Sequence, residues 1–265
     1  MILNVRGLEG AVVISFQSIE SITGTEWLGQ SRLEQNVIHL WGIELNGSPQ
    51  CLERCAQWLD TEEQHRAGRL VREEDRQRYV FAHGGLRAVL SRYLGVDPGV
   101  VELRRDQVGK PFVARRSQGQ SPITFNMSHA HGRALFAVSM GQAVGVDLER
   151  IRSDIEVVKL SERYFAISEH AVIMQSVQEQ RAAKFFRFWV AKEAVLKAQG
   201  IGLQALHQCE ILLGTERVDP EVLAPEGSPL HNNWRVRLLS CGEGLEAAVA
   251  AQGRDWVVQC GLAGC

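Results

Sequence analysis

The sequence lacks any apolar stretch near the roughly 18 to 20 residues that span a bilayer, and it lacks an opening charged segment followed by a short apolar core. A membrane or exported protein is therefore not expected; a cytoplasmic one is. Neither sign of charge dominates, since 29 Lys and Arg face 31 Asp and Glu, giving a formal charge of -2 and a pI near 6.5. Nucleic-acid binding by bulk electrostatics is thereby disfavoured, and an anionic ligand has to be held by a local cluster. The six cysteines include no CxxC pair and no partner histidine at zinc spacing, so they read as reduced thiols, Cys51 and Cys55 one helical turn apart among them. No low-complexity tract interrupts the chain. What is present is 45% hydrophobic residues in 265, enough to fill a core without disulfide staples.

Glycine and proline punctuate the chain. Residues 1–36 are weakly periodic apart from the β-prone Ala11-Val12-Val13-Ile14, and are expected to form a leader of no assignable role. Residues 37–43 alternate like a half-buried strand and 50–59 look helical, so the compact part is expected to start at Val37. The stretch 60–94 is charged and helical, with Tyr79, Ala82, Leu86, Val89, Leu90 and Tyr93 at the 3.6-residue period, and 95–99 ends it. A short strand over 101–103, a turn at Gly109-Lys110-Pro111 and a polar loop over 115–122 follow. Segments 134–140 and 143–149 flank Gly141-Gln142, the composition of a two-residue hairpin turn with glycine first. Such a hairpin would set Phe136 opposite Asp147 and Ala134 opposite Glu149. Helices are expected from Ser153 to about Leu160, from Ser168, and over 184–199 before Gly200, with strands and turns beyond.

The residues that carry chemistry gather in a few of these segments. In 143–149, Val144, Val146 and Leu148 face one way, while Asp147 and Glu149 share the other face. Trp189, Glu193 and Lys197 lie on one stripe of the last long helix, with Lys192 beside them. If strand and helix meet, three carboxylates come together next to a cation. That suits magnesium, which takes oxygen ligands and usually one or two carboxylates beside waters and phosphate oxygens. The plainer alternative is a solvated acidic strand face and a Glu193–Lys197 pair one turn apart. Ahead of them, in Phe125-Asn126-Met127-Ser128-His129, Asn126 and Ser128 can organise backbone turns, and His129 is either a phosphate donor or an ordinary surface histidine. Seven arginines lie between Arg66 and Arg92 among Glu73, Glu74 and Asp75, the pattern of a solvated face. Arg66, Arg69 and Arg78 nevertheless have the guanidinium fork that phosphate favours.

Taken in order, Glu74-Asp75-Arg76-Gln77-Arg78, Gly109-Lys110-Pro111, Phe125 to His129, Gly145-Val146-Asp147-Leu148-Glu149 and Trp189-Val190-Ala191-Lys192-Glu193-Ala194 with Lys197 resemble the 4′-phosphopantetheinyl transferases. The resemblance is to the larger, single-chain type, which activates polyketide, nonribosomal-peptide and fatty-acid synthases, and it covers about residues 37–215. It implies an α/β (α+β) pseudo-dimer of two similar halves, 37–142 and 143–265, each with a small antiparallel sheet packed on a long helix and with coenzyme A between them. The activity it implies is transfer of the 4′-phosphopantetheine arm from coenzyme A to a serine of an apo acyl or peptidyl carrier protein, releasing adenosine 3′,5′-bisphosphate.

The same resemblance makes Asp147, Glu149 and Glu193 ligands of Mg2+, or of Mn2+. It sets Lys197 on the pyrophosphate and as proton donor to the leaving phosphate, and Arg66, Arg78, Lys110, Ser128 and His129 around the nucleotide and its phosphates. Lys192 and Arg152 are further candidates. The base for the carrier serine is expected to be Glu193 first and Glu169 second. A monomer that meets neither nucleic acid nor membrane is expected. One departure is Glu63, where some members carry lysine, which leaves Arg69 as a substitute contact. Two other readings use the same residues: a magnesium-dependent phosphate-ester hydrolase, and a coenzyme A-binding protein without activity.

Overall fold

The computed structural model describes residues 12–24, 31–114, 121–214, 219–224, 228 and 233–261. It opens with β1 (Val12–Val13), β2 (Phe16–Ser18) and α1 (Ile19–Thr23). A first unit comprises β3 (Val37–Glu44), α2 (Pro49–Trp58), α3 (Thr61–Gly68), α4 (Glu73–Leu94), β4 (Leu103–Arg105), β5 (Pro111–Val113), β6 (Ile123–Ala130) and β7 (Arg133–Met140). A second repeats the pattern as β8 (Val144–Arg150), α5 (Val157–Tyr164), α6 (Ile167–Gln175), α7 (Gln178–Gln199), β9 (Glu210–Leu212), β10 (Glu221–Leu223), β11 (Trp234–Ser240) and β12 (Leu245–Gln252). The last strand is β13 (Val257–Cys260).

In each unit the first strand pairs antiparallel with the last, and the last with the one before it, giving β3-β7-β6 and β8-β12-β11. The helices α4 and α7, of 22 residues each, hold equivalent places in the two units. This is the expected α/β pseudo-dimer, a small antiparallel sheet on a long helix in each half. The chain ends depart from the simple repeat. β1 pairs parallel with β11 of the second sheet, whereas β2 and β13 pair parallel with β3 of the first. Residues from the segment read as a leader thus enter the core, where Ile19 and Ile22 are buried with side chains of α4.

Strand alternation sorts the apolar residues into layers. In β3, Trp41 and Ile43 join Phe81, Leu86 and Val89 of α4, while Ile38 and Leu40 join Val144, Val146 and Val249 of the other sheet. Phe185, Phe188 and Val195 of α7 pack on Ala248 and Ala250. The order is helix, sheet, sheet, helix, and burial on both faces accounts for the nearly unbroken apolar runs of β7 and β12.

Several boundaries differ from the sequence expectations. The stretch 60–94 breaks into α3 and α4, and α3 opens on a capping box in which Asp60 and Glu63 satisfy each other's backbone N–H groups. α7 starts at Gln178 rather than at 184, because its first turn is polar and exposed and leaves no apolar period. The polar loop expected over 115–122 lies outside the described residues except for its last two.

The hairpin is a correction. β8 does not pair with β7, whose two edges are taken by β3 and β6, and instead pairs with β12. Ala248, not Phe136, stands opposite Asp147, and Glu246, not Ala134, opposite Glu149. The Gly141-Gln142 turn has the positive φ of a hairpin glycine, but the hydroxyls of Thr124 and Ser139 hold the Gln142 carbonyl, and the chain crosses to the second sheet.

Candidate active site

α7 lies unusually close to β8 because Gly145 has no side chain. A Cβ there would stand 2.0 Å from the Ala194 carbonyl oxygen and 2.4 Å from the Ala198 nitrogen. With small Ala248 next to Asp147 on the same sheet, the helix can settle on the acidic face of the strand. β6 approaches β8 from the other sheet, where Asn126 Oδ1 accepts from Val146 N at 2.9 Å. A side-chain amide thus supplies the edge hydrogen bond that a neighbouring strand would otherwise make. Ser128 follows two residues later on the same face of β6.

Four elements of one polar cluster result from these contacts. Lys197 Nζ donates to Asp147 Oδ1 at 2.6 Å and to Ser128 Oγ at 3.2 Å, and lies 4.0 Å from Glu193 Oε2. Ser128 Oγ donates to the same Asp147 oxygen at 2.8 Å. Asp147 is 2% exposed, and its Oδ2 has no hydrogen-bond partner among the described residues. Burial pushes the Glu193 carboxyl up to about 7; Lys197 opposes the rise, and Asp147 and Glu149 add to it. Glu149 is raised for the same reasons, burial first and Asp147 second, against Arg152 and Lys197.

Three oxygen donors, two of them reluctant to ionise beside the others and one with an orphaned buried oxygen, make a donor set that fits a hard divalent cation. Among the described residues no three His, Cys, Asp or Glu side chains are already drawn around one point, and the Lys197 ammonium is the cation that contacts Asp147.

His129 adjoins this cluster at the surface. The surrounding protein, then the charges of His83 and Lys197, push its ring below the usual histidine range. Arg66, ion-paired with Glu62 at 2.8 Å, lines a cleft of about 460 Å³ with His83, Asn126 and Met127. Arg78, ion-paired with Glu74, lines a different cleft of about 640 Å³ with His131, Arg133 and Arg150. The two arginines expected on one nucleotide therefore face separate clefts. Arg152 is exposed, with its guanidinium over Phe186.

Other expected residues are turned to structural contacts. Lys192 is fully buried in an ion pair with Glu169 at 2.5 Å, and Glu169 also accepts from the backbone of Ala166 and Ile211 at 2.7 Å each. Both oxygens of Glu169 are thereby engaged in the core. The sequence expectation for Glu169 is a second candidate base and for Lys192 a contact to coenzyme A; the structure shows the two paired with each other in the core. The Lys110 ammonium reaches the Ala198 carbonyl at 2.8 Å, at the end of α7, rather than an open pocket mouth.

Glu63, which departs from the lysine of some family members, accepts from Arg87 Nε at 2.9 Å and pairs with His83 at 2.9 Å. Burial alone would raise its carboxyl, yet His83 and Arg87 hold it below the usual range. Asn126 as the bridge between sheets and Gly145 as the close-approach residue were not assigned these roles from sequence. The Gly between valines in a strand was the available signal for Gly145.

Comparisons with known proteins agree with this geometry. Residues 45–141 match the family described as 4′-phosphopantetheinyl transferase, N-terminal, and residues 143–251 match the 4′-phosphopantetheinyl transferase superfamily. The chain is 35% identical over 219 residues to the 4′-phosphopantetheinyl transferase HetI of Nostoc sp., covering 83% of this chain and 89% of that one. It is 35% identical to a phosphopantetheinyl transferase of Thraustochytrium sp., over 55% of this chain and 54% of the other. With the 4′-phosphopantetheinyl transferase gsp of Aneurinibacillus migulanus it shares 31% identity, over 55% of this chain and 57% of the relative. A 35% identity over most of both chains and two adjoining family matches establish that the chain belongs to the 4′-phosphopantetheinyl transferase superfamily.

Proposed function

We propose that the protein transfers the 4′-phosphopantetheine arm of coenzyme A to a serine hydroxyl of an apo acyl or peptidyl carrier domain. The observation that carries this reading is the meeting of Ser128, Asp147, Glu193 and Lys197 at the facing edges of the two sheets. The carrier serine oxygen bonds to the phosphorus that bears the pantetheine arm, and the bond from that phosphorus to the bridging oxygen breaks. Adenosine 3′,5′-bisphosphate leaves. Since the nucleophile arrives on the partner, this chain has to position, neutralise charge and move a proton.

Asp147, Glu149 and Glu193 would hold Mg2+, which when bound supplies Lewis-acid neutralisation of the pyrophosphate. Glu193 is the first candidate to accept the serine proton, directly or through one water. Lys197 turns from Asp147 to the leaving phosphate, which its ammonium neutralises and protonates. Ser128 and His129 hold phosphate oxygens, and Arg66 and Arg78 bind the nucleotide end from their two clefts. A cytoplasmic monomer is part of this reading; among the described residues no helix is long and apolar enough to cross a membrane.

The test is incubation with coenzyme A, with and without an apo carrier domain, followed by intact-mass analysis of the carrier and quantification of the bisphosphate. Release only with carrier, abolished by excess chelator and by changing the carrier serine to alanine, is expected. Bisphosphate released equally without carrier would establish the hydrolase reading instead, and coenzyme A bound but never cleaved would establish the inactive one.

A further inference from the structure

The tip of the β4–β5 hairpin belongs to the first half of the molecule, yet it rests on the end of the helix that carries Glu193 and Lys197. Lys110 Nζ donates to the carbonyl of Ala198 at 2.8 Å and lies 3.5 Å from the carbonyl of Val144, so one ammonium touches both α7 and β8. The Val108 methyl and the Lys110 stem lie 3.6 and 3.7 Å from the point where a side chain on Gly200 would begin, and Gly200 is the left-handed residue that ends α7. Unpaired carbonyls and the negative end of the helix dipole at that terminus both favour a cation there.

The turn is built to hold this posture. Asp106 Oδ1 accepts from the backbone N–H groups of Val108 at 3.0 Å and Lys110 at 2.8 Å, and Arg105 donates to the Gly109 carbonyl at 2.9 Å.

We propose that Lys110 is a positioning residue, a clamp from the first half that fixes the last turn of α7 on β8 and thereby sets where the neighbouring Lys197 stands. The clamp acts on the transfer proposed above and rests on that reading for its catalytic consequence. Its structural content is independent of it. Burial, with Asp106 opposing, lowers the Lys110 ammonium to about 8, in keeping with a group seated on carbonyls rather than in open solvent.

The test uses the full chain and Lys110→Met, Lys110→Arg and Asp106→Ala. Hydrogen exchange of the amides over 196–201 is measured without substrates, together with kcat on an apo carrier and calorimetric coenzyme A affinity. For Lys110→Met, exchange about tenfold faster in that turn is expected, with kcat lowered roughly ten- to a hundredfold, as for misplacement of a catalytic group by about 1 Å. Coenzyme A affinity should change less than about twofold. Lys110→Arg, which keeps charge and donors, should recover most of both, and exposed Asp106→Ala should show a smaller loss in the same direction.

Weakened coenzyme A binding with normal exchange and kcat would overturn the clamp and make Lys110 a substrate contact. Should Lys110→Met fail to fold, unchanged exchange in Asp106→Ala would overturn it as well. A wild-type chain that modifies no carrier would count against the transferase reading, while the exchange result still decides the clamp.

Discussion

Replacing Gly145 by alanine tests whether the closeness of α7 to β8 makes the site. The added methyl would begin 2.0 Å from the Ala194 carbonyl oxygen, whereas ordinary contact begins near 3.4 Å, and both atoms in conflict are backbone. No rotamer change relieves this. Helix and strand must separate by about 1 Å or more, against a packed core, which typically costs about 1 to 3 kcal/mol. Glu193 and Lys197 ride on that helix, and Lys197 now stands 2.6 Å from Asp147, so the same displacement pulls the cluster apart.

An error of about 1 Å in placing a catalytic group corresponds to a loss of roughly a hundredfold. The expected result is a denaturation midpoint lowered by those few kcal/mol and a kcat reduced about a hundredfold, with the secondary-structure signal unchanged. Urea titration followed by circular dichroism gives the first quantity, and carrier modification at saturating coenzyme A gives the second. A Gly145→Ala protein with wild-type kcat and midpoint would refute the claim that close approach builds the site.

Lys192→Met leaves the Glu169 carboxylate in the core without its cation, and a loss of about 3 to 5 kcal/mol in a urea titration is expected; Glu169→Gln in the same chain should recover part of it. A single variant as stable as the wild type would contradict the pairing. His39 is buried and accepts from or donates to Tyr93 at 2.8 Å, and burial holds its ring below the usual value of 6.5. Because the unfolded chain binds that proton more readily, stability is fully present above about pH 6.5 and declines as pH falls through the folded-state value; His39→Gln should flatten this part of the stability-versus-pH curve. Glu193, raised to about 7, has to release its proton to serve a cation, so calorimetric Mg2+ affinity should rise about tenfold from pH 6 to pH 8. Affinity independent of pH over that range would remove Glu193 from the ligand set.

Much of this was legible in the chain because the signals are local. Alternation in 143–149 told which face Asp147 and Glu149 share, and helical spacing told that Glu193 and Lys197 share a stripe. Their meeting with Ser128 is what the structure adds. What stayed hidden depends on partners far away in sequence. Whether Gly141-Gln142 makes a hairpin is decided by β3 and β6 having already taken both edges of β7, which no local pattern records. Lys192 and Glu193 are neighbours with opposite fates, since one turns into the core toward Glu169 and the other stands by Lys197 and feels the charges of Asp147 and Glu149. Glu63 likewise takes its role from Arg87, 24 residues on.

The exchanged chain ends bear on how the molecule is assembled in time. With Val12 aligned to Leu239 and Val257 to Val37, neither half is one continuous piece of polypeptide. A cut between residues 142 and 143 would leave the first piece without β13 and the second without β1, so each fragment should remain incomplete until it meets the other. These are pairings across most of the chain, whose closure is entropically slow. The terminal strands should therefore dock last during refolding, and a nascent chain still missing its final residues would leave the Val37 to Leu40 part of the β3 edge open to whatever strand it encounters first.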